Sequence, residues 1–357
     1  MVNKCRHKLL DMLVIAVCAT IGNADSWDDI ALFGESKQAW LKQWLELPNG
    51  IASADNFERV FAHVDAEAFQ TCFVKWVEQV FTLTEGQVIA IDGKTVRGTC
   101  DKQGQGGLHL VSAWATVNRL TLAQVKVANK ANEIVAIPEL LKLLMVQGCM
   151  VTIDAIGCQK QIVSPIRDQQ AEYVVTVKGN QPTLQRTVQA AFSAADEQGW
   201  SPESVVKTEE TGHGRHEIRQ GWVLPDSQVQ ALGWRDCRTL LRIERTTTRG
   251  SAQQAAHEIH YYLSSVQAHA PTLLQLVRDQ WGIENRCHWL LDVLFKEDAS
   301  RTRARFADDN LALLRKIALN LWPQHPAKGA LKGKRYQAAL NEDSLVSVLK
   351  SSFVLMP

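Results

Sequence analysis

At 357 residues and 46% apolar content, the chain has material for two or three compact units. No stretch approaches the ~20 uninterrupted apolar residues of a membrane span. Eight cysteines, at positions 5, 18, 72, 100, 149, 158, 237 and 287, form no C-x-x-C pair and no regular framework, which suits a reducing cytoplasm. The net charge of +1 does not announce a nucleic-acid binder, but its distribution is uneven. Residues 1–85 hold 7 Lys and Arg against 12 Asp and Glu, and the remainder holds 32 against 26. Between 301 and 336, Arg301, Arg303, Arg305, Arg315, Lys316, Lys328, Lys332, Lys334 and Arg335 face only Asp308 and Asp309. Such a run attracts a polyanion or forms the solvated face of a helix.

Residues 1–82 are expected to form a helical N-terminal domain for assembly or DNA binding. Lys4, Arg6 and Lys8 ahead of LLDMLVIAVCATIGNA imitate a signal peptide. Asp11 interrupts that apolar run, however, and Leu9, Leu10, Leu13, Val14, Val17 and Cys18 recur at helical spacing, which favours a buried helix. Further helices are predicted in SWDDIALFGESKQAWLKQWLEL, SADNFERVFAHV and AEAFQTCFVKWVEQVF, with Ser26 and Ser53 as N-caps and aspartates in the first turns. Short helices joined by PNG-type turns suit a helix-turn-helix reader or any small bundle, and the acidic balance favours packing or assembly.

The period changes at Gly86. Strands are predicted at 87–91, 108–117 and 120–127, the last two as a hairpin through Asn118-Arg119. The intervening CDKQGQGG is a loop rather than a phosphate fingerprint, because no helix follows it. Then come helix ANEIVAIPELLKLLMVQG, strand CMVTID, helix CQKQIVSPIRDQQ, strand AEYVVTVK and helix PTLQRTVQAAFSAA, with Pro182 in its first turn. Three strands followed by alternating helix and strand match an α/β fold with a ribonuclease-H-like core beginning in residues 83–200. Residues 201–265 lose the helical pattern and predict a β-rich insertion. Residues 266–325 are expected to complete the core through a helix from about 271 to 296 and helical LALLRKIALNLW, and 326–357 to form a basic tail.

Three acids stand in distinctive settings: Asp92 in VIAIDGKTVRG, Asp154 in MVTIDAIGCQK and Glu284 in QWGIENRCHWLLD. Asp92 and Asp154 each close a run of β-branched and apolar residues, and the expected order makes their strands neighbours. Taken singly, Asp92 reads as an Asp-Gly turn and Asp154 as a helix-start acceptor. Glu284 lies on an apolar-faced helix where Gln280, Glu284, His288 and Asp292 recur at i, i+4 as a polar stripe, either solvated or turned to a catalytic centre. Asp292, Glu297 and Asp298 are rivals for the third acid. Converging carboxylates repel unless cations stand between them, so the set points to divalent metal and phosphoryl chemistry.

The segments IDGKTVRG, TIDAIGCQ, VTVKGNQP, TGHGRHEIR and WGIENRCHWLLDVLFKEDASR, in this order, resemble the DDE transposases of bacterial insertion sequences, in detail the H-repeat-associated branch. SWDDIALFG and SADNFERVF resemble the domain that precedes the core in that branch. The resemblance implies that Asp92, Asp154 and Glu284 hold two Mg2+ ions, with Mn2+ able to substitute. It implies that a water attacks at the element end and that the freed 3′-hydroxyl then attacks target DNA. The implied partner is double-stranded DNA, as terminal inverted repeats and target, bound by a homodimer or higher multimer in the cytoplasm. Lys94, Arg97, Lys178, Asn180 and Gln181 are expected at the DNA near the first two acids, and Arg286 and His288 beside the third. His213, Arg215, His216 and Arg219 are expected as a DNA clamp, since GHGRHE lacks zinc spacing. The stations that carry Tyr, Arg and Lys along the last helix in many such transposases are Val277, Gln280 and Leu291 here, with Arg278 and Arg286 on other faces. The chain starts almost at its first helix, where members of the branch have a leader, so a shortened or degenerate copy is one expectation. A nuclease that cuts without joining and a non-catalytic DNA-binding remnant are the other readings.

Overall fold

A computed structural model describes residues 6–81, 83–128, 132–212, 214–225, 229–249 and 255–351, so Lys4, Cys5 and His213 lie outside the described residues. The N-terminal region forms α1 (Leu9–Ile21), α2 (Trp27–Ser36), α3 (Gln38–Leu41), α4 (Ala54–Phe61) and α5 (Ala66–Val80). Ser26 accepts the Asp29 N–H at 3.1 Å while the Asp29 carboxylate accepts the Ser26 N–H at 3.0 Å, a reciprocal cap that the S-W-D-D order allows. Ser53 caps α4 through the Asn56 N–H. α1 buries Met12, Ile15, Ala16 and Ala19, and Trp27 meets Phe61 with ring centroids 5.0 Å apart.

One mixed sheet of nine strands follows: β1 (Val88–Thr95), β2 (His109–Ala115), β3 (Leu120–Val127), β4 (Met150–Ile153), β5 (Glu172–Val177), β6 (Val205–Gly212), β7 (Arg215–Pro225), β8 (Thr239–Arg249) and β9 (Ala256–Ser264). Its order is β3-β2-β1-β4-β5-β9-β8-β7-β6. β4 runs parallel to both β1 and β5, and the other pairs are antiparallel. The β-rich segment is therefore not a separate sheet, because β9 pairs with β5 and carries the meander on as a continuation of the central sheet. Two strand limits differ from expectation. β1 runs past Asp92 to Thr95, held by β2. The β2–β3 connection spans residues 116–119 rather than two residues, with a bulge at Ala113/Trp114 adjusting the register.

Helices α6 (Glu133–Lys142), α7 (Lys160–Asp168) and α8 (Pro182–Gln198) join α5 on one face, over Ile89, Ile91, Val151, Ile153, Tyr173 and Val175. The other face, reached by Val88, Ala90 and Val174 through the two-residue alternation of strands, carries α9 (Ala270–Gln280), α10 (Trp289–Leu294) and α11 (Ala307–Leu321). The expected tail is helical instead: α12 (Leu331–Leu340) and α13 (Glu342–Ser351) bury Ala338, Leu345 and Val348 in the core shared with α1, α2 and α4. The helices at the two ends of the chain thus form one unit.

That packing also corrects the reading of the basic run. Arg315, Lys316 and Arg335 are almost wholly buried and cannot meet a polyanion. Arg315 donates to the Asp25 carbonyl at 3.0 Å. Lys316 donates to Ser112 Oγ at 3.1 Å and to Gln124, and Arg335 donates to the carbonyls of Thr20 and Leu294. The cause is the helix around the first pair: LALLRKIALNL is apolar on nearly every side, so its charges go inward with it.

Candidate active site

The parallel ladders end at Ile91↔Ile153 and Ile153↔Val175. Asp92, Asp154 and Thr176 are consequently the next residues on three adjacent chain segments, on the face opposite Ile91 and Ile153. Thr176 pairs onward with Tyr262 of β9. These four residues line a cleft of about 140 Å3 together with Lys178 and His260, closed by Gln280, Trp281, Ile283 and Glu284. An organic substrate takes a pocket of roughly 300–1,000 Å3. This cleft suits ions and their waters.

Asp154 also accepts the Ile156 N–H at 3.0 Å and so starts a short 3-10 turn, Ala155–Gly157. Asp154 therefore caps this turn and lines the cleft at the same time. Asn180 holds the same turn by donating to the Ala155 carbonyl at 2.7 Å, and Gln181 donates to the Cys158 carbonyl at 3.0 Å. Both expected DNA contacts are thereby engaged in fixing the loop behind Asp154. Beneath the sheet, Glu133 lies so close to Gly93 that a Cβ there would overlap its carboxylate. Glu133 Oε1 is 2.6 Å from His109 Nε2, and His109 Nδ1 is 2.6 Å from Thr95 Oγ1.

The helix expected from 271 to 296 is interrupted. α9 ends at Gln280, and Glu284–His288 form a π turn before α10. Along an α-helix, residues four apart drift by about 40° per step; a wider turn offsets that drift. Glu284 reaches the cleft, His288 Nε2 stands 3.2 Å from Asp92 Oδ2, and Asp292 meets Lys94, two residues further along β1. Ile283, Cys287 and Leu291 on the opposite side enter the core. The polar stripe is therefore turned to the sheet, and its solvated reading is set aside.

The cleft acids are electrostatically coupled. Burial raises the Asp154 carboxyl above its ordinary range, and the charge of Asp92 raises it further. Glu284 is exposed as a residue, yet its carboxyl borders the cleft; partial burial raises it, as do Asp92 and Asp154, against the pull of His288 and Lys178. Burial alone would depress the His288 imidazole, but its ion pair with Asp92, with Cys287 adding to it, outweighs that and brings it up to about 9. Among the described residues, no three His, Cys, Asp or Glu side chains are gathered tightly enough to enclose an ion as they lie. The donor chemistry nevertheless fits a hard divalent cation: three carboxylates and a threonine hydroxyl border one cleft, and their repulsion is what such an ion relieves.

The remaining expected contacts divide by burial. Lys94 is mostly buried and bound to Asp292 and to Glu297 (2.5 Å), so its ammonium is engaged within the protein. Arg219 is likewise buried, paired with Glu217 and with Glu210 at 3.3 Å, and lies 5.6 Å from the Trp281 ring. His216 pairs with Glu209 at 2.8 Å. Arg97, Lys178, Arg215 and Arg286 are exposed. Of the helix stations, Val277 and Leu291 are core residues and Gln280 lines the cleft. Arg278 pairs with Glu210 at 2.5 Å. Sequence reasoning missed Thr176, His260 and Tyr262 as cleft residues; strand register alone reveals them. Among the described residues no helix is long and apolar enough to cross a membrane.

Comparison with known proteins bears on the same segments. Residues 83–321 match the family described as "Transposase DDE domain", and residues 1–77 match the one described as "DDE_Tnp_1-associated". The chain is 39% identical over 356 residues to the putative transposase YncI of Escherichia coli O157:H7, covering 98% of this chain and 90% of that protein. It is 35% identical over 356 residues to the H repeat-associated putative transposase YhhI of Escherichia coli strain K12, covering 98% and 94%. It is also 44% identical over 57 residues to the inactive transposase YbfQ of strain K12, covering 16% and 68%. With that coverage and with the acid-bearing segments inside the matched region, the chain belongs to the DDE transposase family, in its H-repeat-associated branch.

Proposed function

We propose that the protein is a DNA transposase that binds the ends of its element and carries out metal-dependent strand cleavage and strand transfer, with Asp92, Asp154 and Glu284 as the acids of the site. The observation that carries this reading is the placement of Asp92 and Asp154 one residue beyond the parallel ladder, across one cleft from Glu284, where burial and the Asp92 charge together raise the carboxyls of Asp154 and Glu284. The strand order β3-β2-β1-β4-β5 supports a ribonuclease-H-like core. The three carboxylates would hold two Mg2+ ions, which, when bound, activate an attacking oxygen and stabilise a leaving one at a phosphodiester. The protein's own groups place the DNA: Lys178 at the cleft mouth and Arg97 and Arg286 on the surface meet phosphates, while Asn180 and Gln181 keep the Asp154 turn rigid. No protein nucleophile is required, and no covalent protein–DNA intermediate forms.

A second reading has two specific observations in its favour. Asp92 is paired with the His288 cation, and core residues fill two helix stations, which suits a DNA-binding remnant without catalysis. Duplexes made from the inverted repeats flanking the coding region separate the readings. The transposase nicks them in Mg2+ and joins pre-cut ends to a target duplex, and Asp92→Ala, Asp154→Ala and Glu284→Ala each bind but do not cut. Cutting without joining identifies a nuclease. Binding without Mg2+-dependent nicking by the unmutated protein identifies the remnant.

A further inference from the structure

β1 and the helix segment of the third acid meet in register. Asp92 faces His288, and two residues on along the strand Lys94 faces Asp292, four residues on along the helix. Beyond α10 the contact continues: Lys94 Nζ is 2.5 Å from the wholly buried Glu297 and 4.0 Å from Asp298. Arg97 Nε is 3.5 Å from Asp298, and the Arg97 N–H donates to the same carboxylate at 3.3 Å. Gly98 lies against the backbone of Asp298–Ser300 so closely that any Cβ there would overlap it. Arg303 returns to donate to the Gly98 carbonyl at 3.2 Å. The strand that carries the first acid is thus joined to the segment after the third acid by a chain of ionic and backbone contacts.

We propose that Lys94 is the positioning residue of the third acid: by joining β1 to Asp292 and Glu297, it sets where the Glu284 π turn stands across the cleft from Asp92. An ammonium has three donors and no acceptor. Two of these are spent on carboxylates, and Asp298 stands 4.0 Å from the same nitrogen. Asp292 is the anchor on the helix, and Glu297 is the anchor in the core. This inference rests on the triad reading only for its catalytic consequence, because the mechanical joint exists whatever the cleft does.

The test separates the joint from a phosphate contact and from the triad. Hydrogen exchange of the DNA-free full chain is followed over residues 284–298 for the unmutated protein, Lys94→Met, Lys94→Arg and Asp292→Asn. The joint predicts faster exchange in that segment, by about tenfold or more, in Lys94→Met and Asp292→Asn, with partial protection restored in Lys94→Arg. Asp292→Asn leaves the Lys94–Glu297 pair in place, so the test survives if Lys94→Met fails to fold. Binding to a mixed-sequence duplex is measured across salt on the same proteins. An unchanged salt slope in Lys94→Arg and Asp292→Asn, with altered exchange in Asp292→Asn, supports the joint. Unchanged exchange in Asp292→Asn overturns it, as does a Lys94→Met salt slope shallower by about 0.9, which marks Lys94 as a phosphate ligand. Where the unmutated protein cuts element-end DNA, the joint further predicts a loss in kcat with KM for DNA kept in Asp292→Asn. Where it does not cut, the triad reading falls and the exchange result still decides the joint.

Discussion

Two sets of carboxylates lie along the same seam between β1 and the 270–298 segment, and their charges are answered in opposite ways. Glu297 is buried among Lys94, Lys316 and Arg315, whose attraction overcomes burial and holds its carboxyl below the usual range. Asp154 and Glu284 are raised, first by burial and then by the charge of Asp92, to which Asp154 adds at Glu284. Glu297 is neutralised within the protein and is structural, although burial keeps its neighbour Asp292 raised. The cleft acids are left with a net demand for positive charge that the His288–Asp92 pair and Lys178 meet in part. The contrast, more than the presence of acids, distinguishes a joint from a site.

The contrast breaks down if substitutions in the two sets behave alike. The largest expected effect is on activity: Asp154→Asn lowers Mg2+-dependent cleavage by at least about 100-fold, the scale of losing one electrostatic partner at a reacting centre. Its melting temperature stays equal to or above that of the unmutated protein. Glu297→Gln does the reverse to the fold. Removing one member of a buried charge pair costs about 3–5 kcal/mol, so chemical denaturation shows a large loss of stability, with lost activity following from lost fold. A smaller effect is expected beneath the sheet. Gly93→Ala overpacks against Glu133 and costs about 1–3 kcal/mol, and the cost shrinks in a Glu133→Ala background, as a double-mutant cycle in urea will show.

The smallest effect is a pH signature. Asp154 and Glu284 are raised, so on acidification the folded protein binds their protons before the unfolded chain does, and their mutual repulsion is relieved. Stability from this source rises as pH falls through the raised values and levels off near the ordinary ones, about 3.8 and 4.5. Glu297 is lowered, so its contribution is complete above about 4.5 and is lost as pH falls through its depressed value. Urea unfolding across that range should show the first component vanish in Asp154→Asn and the second in Glu297→Gln.

Much of the candidate site was legible because its first two acids stand where buried apolar runs and the parallel ladders end. VIAID and MVTID each stop on an acid after a buried run, and adjacency followed from three strands preceding the helix–strand alternation. The capping pattern of SWDD and the first-turn Pro182 were equally local. The ion pairs of Lys94 were not legible because its partners are about 200 residues away; alternation along β1 does place it on the same face as Asp92, under the helix. The buried Arg315 and Lys316 were counted as surface charge, although the apolar helix around them signalled an interior position. The π turn and the continuation of the insertion into the central sheet have no local signature. Both arise from packing and strand register.

The most direct test is to soak crystals of the full chain in Mn2+ and locate the ion by anomalous scattering. The account predicts density between Asp92, Asp154 and Glu284, lost in Asp154→Asn. Density only at Asp292, Glu297 and Asp298, or an unchanged peak in that variant, would contradict it.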